Sequence, residues 1–276
     1  MKLWAVANQK GGVGKTTTAV ILAGLLAERG ARVVLVDLDP HASASGWLLS
    51  GSPRREGVGA LFAGADGAPP IESLLEPTSQ PGLQMLRATP ALAAVERRLA
   101  TQSGMGCVLA NALGALRAET DYVLLDCPPT LGLLLVNALA AAERVIVPVQ
   151  TEPLALEGLR RMRETLAMIG RSQGRVIDHW TVPTLYDQRT RASRDVLELL
   201  HADFPEGLWP GVIPVDTRLR DASLAGELPS SFCPRSRAVG VYRMLLAALL
   251  GERPRDAAVT WDDAPETLPL DEEVAA

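Results

Sequence analysis

Two lysines and three glycines stand together near the start of the chain, in the run Lys10-Gly11-Gly12-Val13-Gly14-Lys15-Thr16-Thr17. Glycines let backbone N–H groups approach an anion with no Cβ in the way. A lysine placed as Lys15 supplies a mobile charge for the β- and γ-phosphates of a nucleotide, and a hydroxyl placed as that of Thr16 suits Mg²⁺. The apolar run Leu3 to Ala7 precedes these residues, and a helical pattern from Thr18 to Arg29 follows them. Strand, glycine turn and helix are the setting a phosphate loop needs. The helix start adds unpaired N–H groups and the positive end of its dipole. The general loop pattern has a glycine five residues before Gly14. Here that place is Gln9, and the next residue is the extra lysine, Lys10.

Carboxylates that could serve such a loop end two other apolar runs. Arg32-Val33-Val34-Leu35-Val36 leads into Asp37-Leu38-Asp39-Pro40, and Tyr122-Val123-Leu124-Leu125 leads into Asp126. Ligand groups in open α/β sheets gather at the carboxyl ends of strands. Asp126 therefore fits a metal-holding carboxylate of the Walker B kind. Asp37 and Asp39 are candidates for the same site, and their other reading is as caps of a following helix, a job Ser43 alone could do. His41 reads as a polar loop residue rather than a metal ligand.

The totals narrow the function classes. The 276 residues suit one sizeable α/β domain, and aromatics at 4% argue against a base-stacking nucleic-acid platform. The net charge is −5, but Asp262, Asp263, Glu266, Asp271, Glu272 and Glu273 lie near the end with no basic residue among them. The body is thus close to neutral and leaves room for a local basic patch. Cys107, Cys127 and Cys233 are odd in number and far apart, which fits neither a disulfide framework nor a zinc site and points to a reducing cytoplasm. The glycine loop arrives before a signal peptide could be complete. The longest apolar stretch, Leu131 to Val149, is interrupted by Asn137, Glu143 and Arg144 and reads as helix then strand, not as a membrane span.

Strands and helices then alternate. Strands are expected at Lys2–Asn8, Arg32–Val36, Gly82–Arg87, Asp121–Asp126, Arg144–Val149, Val176–Leu185 and Leu208–Ile213. Helices are expected at Gly14–Arg29, Pro90–Thr101, Met105–Glu119, Leu131–Ala142, Pro153–Gly170, Ser193–Ala202 and Arg237–Gly251. Ser45–Pro81 reads as short helices and loops over the surface. The pattern implies an α/β fold with a doubly wound, mostly parallel β-sheet flanked by helices. It forms a single domain over residues 1–251, followed by an acidic tail over 252–276 whose composition implies disorder.

The loop KGGVGKTT, the DLDP after the second strand and the DCPP from Asp126 match, in order, the motifs of the ParA/MinD family of deviant Walker A ATPases, which the chain resembles. The resemblance continues through NALAAAERVIVPVQTEPLALEGL, VPTLYDQRTRAS and VIPVDTRLRDAS, to about residue 250. It implies a homodimer with two ATP molecules and Mg²⁺ held between the subunits. In that arrangement Lys10 reaches the partner's nucleotide. Lys10, Gly11, Gly12, Val13, Gly14, Lys15, Thr16 and Thr17 hold the phosphates. Thr16, Asp37 and Asp126 serve the metal, Asp37 through a bound water. Asp39 lies near the attacking water and joins Lys10 and Lys15 in catalysis. The loop Pro214-Val215-Asp216 contacts adenine, although Val215-Asp216 departs from the family's usual Arg-Asn.

The family implies a slow ATPase stimulated by a partner, either a ParB-like protein or a chemosensory adaptor. TRLRDAS and QTEPLALEGL resemble the ParC-like branch that positions chemosensory arrays. Arg189, Arg218 and Arg220, with Arg191 and Arg194 nearby, match positions that bind DNA without sequence preference. Asp187, Asp195, Asp216 and Asp221 stand among them and could neutralise them. The short stretch before the loop leaves no room for an operator-binding domain. The acidic, proline-containing end departs from the basic membrane helix of the MinD branch, so no membrane partner is expected. Localisation is expected to be cytoplasmic, on the nucleoid or at a pole.

Overall fold

Apolar strands without alternation must be covered on both faces, and the architecture follows from that demand. The computed structural model describes residues 1–50, 56–63, 67–100, 102 and 104–252. The expected tail beyond Glu252 lies outside the described residues. In chain order the elements are β1 (Lys2–Val6), α1 (Lys15–Glu28), β2 (Val33–Asp37), α2 (Ser43–Leu48), β3 (Glu76–Pro77), β4 (Leu83–Leu86), α3 (Leu92–Leu99), α4 (Val108–Leu113), β5 (Tyr122–Asp126), α5 (Leu133–Ala141), β6 (Arg144–Gln150), α6 (Pro153–Gln173), β7 (Asp178–Thr184), α7 (Arg191–Asp203), α8 (Arg218–Ala225), α9 (Pro229–Phe232) and α10 (Arg237–Leu249). The described strands form one sheet in the order β3-β4-β2-β5-β1-β6-β7. All neighbours run parallel except the short β3 against β4.

Successive strand residues feed two separate cores. Leu3 and Ala5 of β1, Val34 and Val36 of β2, and Val123 and Leu125 of β5 pack with α3 to α7 on one face. Trp4, Val6, Val33, Leu35 and Leu124 pack with α1, α2, α8 and α10 on the other. Helix α1 is buried almost all round, because it lies between the sheet and α10. Among the described residues no helix is long and apolar enough to cross a membrane.

Three expectations need correction. Leu208–Ile213 forms no strand. It runs beside the end of β7 through single bridges, Thr181 with Leu208 and Tyr186 with Pro214: the Trp209 and Ile213 N–H groups reach the Thr181 and Pro183 carbonyls, but Pro183 has no N–H to return and continue a ladder. Residues in Ser45–Pro81 are not a surface covering: Val58, Leu61, Phe62 and Ile71 are buried in the first core, and Glu76–Pro77 adds the antiparallel edge. Met105–Glu119 is not one helix but a 3₁₀ turn at Met105–Cys107, α4, and a second 3₁₀ turn at Gly114–Ala118. In α10, Leu245, Leu246 and Leu249 are core, whereas Met244 is half exposed.

A buried ion pair closes the β3 edge. Arg87 is 8% and Glu76 5% exposed. Their fork is bidentate, with Nη2 to Oε2 at 2.7 Å and Nε bonded to Oε1. Removing one partner strands the other charge away from water. Arg87→Met is expected to lower the unfolding free energy in urea by about 3–5 kcal/mol, and pairing it with Glu76→Leu should recover most of that loss.

Candidate phosphate and metal site

The site gathers at the carboxyl ends of β1, β2 and β5. Val6, Asp37 and Asp126 stand level there, since β5 pairs Asp126 with Val6 on one side and with Asp37 on the other. The loop leaving β1 has Gly12 at φ +76° and Gly14 at φ +87°, a left-handed backbone that glycine adopts without strain. A Cβ built on Gly11, Gly12 or Gly14 would meet no protein atom within 4 Å, so the loop faces open space. Gly14 starts α1 with no side-chain cap and no acidic residue in the first turn. That leaves first-turn N–H groups for an anion.

Two side chains pin the loop. Asn8, fully buried, donates from Nδ2 to the Pro148 carbonyl at 2.7 Å and accepts the Lys10 N–H at 3.1 Å. Thr184 at the end of β7 donates to the Val13 carbonyl at 2.9 Å. Lys15, 8% exposed, lays its ammonium on the Lys10 carbonyl at 2.8 Å. Burial pulls its pKa down, against the charges of Asp126 and Asp39. Lys10 rests more loosely, with Nζ 3.6 Å from Glu152 and 3.5 Å from Gln150.

The two strand-end aspartates do different work. Asp37 is well partnered: Oδ1 accepts the Asp39 N–H at 3.0 Å, and Oδ2 accepts the Ser45 N–H at 2.9 Å and hydroxyl at 2.7 Å. Ser45 also accepts the Ala88 N–H at 2.9 Å. Asp37 thus ties down the first turn of α2, which is the capping alternative, and Ser43 does not cap that helix. Burial pushes the Asp37 carboxyl up to about 6 against those bonds. Asp126 is also fully buried, yet neither carboxylate oxygen has a hydrogen-bond partner among the described residues. Burial and then the neighbouring Asp37 push its pKa well up, with the nearby Thr16 hydroxyl and Lys15 charge acting the other way. A buried, unpartnered carboxylate beside Thr16 and Lys15 is what a hard cation would satisfy, so this pair fits Mg²⁺. Asp39 is 14% exposed, and its Oδ1 accepts both the N–H and ring Nδ1 of His41, the latter at 2.7 Å.

The sequence model of the AAA domain family matches residues 1–178. The chromosome-partitioning ATPase Soj of Thermus thermophilus is 42% identical over 243 residues, 87% of this chain and 92% of its own. The chromosome partitioning protein ParA of Myxococcus xanthus is 38% identical over 229 residues, 82% of this chain and 80% of its own. This chain belongs to the ParA/Soj family. A crystal structure of cobyrinic acid a,c-diamide synthase from Mycobacterium smegmatis, with a bound ATP analogue and magnesium, shares the ParA/Soj chain's fold at a TM-score of 0.76 and 35% identity, covering 91% of this chain and 94% of that one.

Other expected site residues of this ParA/Soj chain lie farther along. Pro214 and Val215 line a cavity of about 280 Å³ with Tyr186, Asp187, Gln188, Arg189 and Arg237. Asp216 is engaged elsewhere: it takes a bidentate bond from Arg218 at 2.9 and 3.0 Å and the Ser236 hydroxyl at 2.5 Å. Burial pushes its carboxyl up, but those bonds outweigh it and hold it below the usual range. Arg189, on the exposed surface, is paired in the same way with Asp187, and its hydrogen bonds pull that carboxyl to about 2. Arg191 pairs with Asp195, while Arg220 has no ion pair among the described residues. The arginine group thus carries its own counter-charges. Asn8, Ser45 and Thr184 support the site through contacts between residues far apart in sequence. Asn8 alone had a local signal, a polar residue ending an apolar strand two places before Lys10.

Proposed function

We propose that this ParA/Soj chain is a switch ATPase that moves or positions cellular cargo. ATP and Mg²⁺ bind at residues 10–17, two subunits close on two nucleotides, and the dimer holds nucleoid DNA or a polar partner until hydrolysis releases it. The observation that carries the reading is the fully buried Asp126 carboxylate, unpartnered beside the uncapped glycine loop. Thr16 and Asp126 would hold the ion, Asp37 acting as the anchor of the neighbouring loop. When bound, Mg²⁺ supplies charge neutralisation at the β- and γ-phosphate oxygens. Lys15 and the first-turn N–H groups of α1 hold those oxygens. Lys10 needs little to leave Glu152 and Gln150, and in a dimer it would lie across the partner's phosphates and stabilise charge that builds there. Asp39, oriented by His41, sets the attacking water in line with the leaving ADP. Pro214 and Val215 form the base side through their cavity, without Asp216.

The similar proteins include a chromosome-partitioning ATPase and, among solved structures, a diamide synthase with an ATP analogue and magnesium bound. Partition or array positioning is the reading we favour, with a ParB-like protein or a chemosensory adaptor as the stimulating partner, one domain over 1–251 and a cytoplasmic site of action. A titration of fluorescent ATP with and without Mg²⁺, read together with light scattering, tests it. Mg²⁺-dependent binding that doubles the mass supports the switch, and a monomer at saturating ATP would sink it.

DNA binding is a separate arm. The double variant Arg189→Glu, Arg218→Glu is expected to abolish the ATP-dependent shift of random duplex DNA while the dimer persists. In wild type, each phosphate contact these arginines make should add about 0.9 to the log–log salt slope. A wild type that shifts no DNA at low salt would remove the nucleoid from the model.

A further inference from the structure

We propose that Thr184 is a positioning residue of the phosphate loop, which it shapes from 171 positions away through one hydrogen bond. The inference rests on the nucleotide reading above. Thr184 is 2% exposed and Val13 fully buried, so the bond between the Thr184 hydroxyl and the Val13 carbonyl is sealed from water. Val13 sits between Gly12 and Gly14, both at positive φ, in the part of the loop with the greatest backbone freedom. In a trans peptide the carbonyl and the following N–H point in opposite directions. Holding the Val13 carbonyl toward β7 therefore turns the Gly14 N–H the other way, at the positive end of α1, where the loop meets open space. Without the hydroxyl, the carbonyl is buried with no donor and the peptide plane is free to turn.

The same residue joins the loop to the base side. The Thr184 carbonyl accepts the Thr151 N–H at 3.2 Å. Two residues on, the Tyr186 N–H bonds to the Ile213 carbonyl at 3.0 Å and the Tyr186 carbonyl accepts the Val215 N–H at 3.1 Å. Phosphate loop and base cavity are thus set against each other by one strand end. A strand needs no hydroxyl here, and valine, with nearly the same shape, is as much at home in a strand as threonine.

Thr184→Val and Thr184→Ser separate the hydroxyl from packing. The measurements are the affinity for N-methylanthraniloyl-ADP, taken well below the melting temperature, and the melting curve without nucleotide. The valine variant is expected to melt as a folded protein and to bind about tenfold or more weakly, while serine, which keeps the donor, stays within about threefold of wild type. A folded valine variant that binds like wild type overturns the proposal, as does a serine variant that loses as much as valine. If valine does not fold, Thr184→Ala is judged by the same comparison with serine. A wild type that fails to bind the probe would instead bring down the nucleotide reading itself.

Discussion

Lys15→Gln is expected to weaken ATP binding by about 100-fold or more, because charge-assisted hydrogen bonds contribute roughly 1.5–3 kcal/mol each and the lysine would make more than one. Glutamine keeps much of the length and loses the charge. The lysine is 8% exposed, so water does little to replace its role. Its present bond to the Lys10 carbonyl also disappears, which leaves the loop less ordered before nucleotide arrives. Calorimetric titration reports the affinity, and light scattering with ATP is expected to show monomer only. A variant that still dimerises with ATP would take Lys15, and with it the loop, out of the mechanism.

Asp39→Ala should act on the opposite side of the cycle. Asp39 stands outside the loop, and nothing it touches holds the phosphates, so ATP binding and the dimer are expected to survive. Turnover should fall by about 10²–10⁴-fold, the usual contribution of a positioned carboxylate acting on a proton or a water. The geometry explains the asymmetry. His41 occupies Oδ1 through its N–H and its ring, which fixes the carboxylate and leaves Oδ2 without a hydrogen-bond partner among the described residues. A phosphate-release assay at saturating ATP decides it, and equal rates for variant and wild type would show that another group orients the water.

What could be read in the sequence follows from how local each signal is. The runs Leu3–Val6, Val33–Val36, Val123–Leu125 and Val145–Val149 are apolar at every step, as strands buried on both faces must be. Asp126 closes such a run, and the loop from Lys10 to Thr17 is contiguous, so both were visible. Asp37 looked like Asp126 because both end strands with the same chemistry. What separates them is Ser45, eight residues on across a turn, which takes up one carboxylate and not the other. Thr184 and Val13 meet only once the sheet has formed, and no spacing announces that. The false strand at Leu208–Ile213 shows the reverse error, in which apolar content outweighed a proline on the facing strand, Pro183, that removes a ladder donor. The arginine pairs were within reach, since Asp187 with Arg189 and Asp216 with Arg218 are both Asp-x-Arg, a spacing whose fork closes on itself.

The level alignment of Val6, Asp37 and Asp126 across three adjoining strands has a mechanical consequence. Those residues ride on one slab clamped between two oily layers, so they cannot part or rotate against one another. In the proposed switch, news of the bound nucleotide would leave by the short connectors that spring from the strand ends, residues 39–42 and 127–132. A partner that reads the proposed switch would then read those connectors, or a surface that they carry.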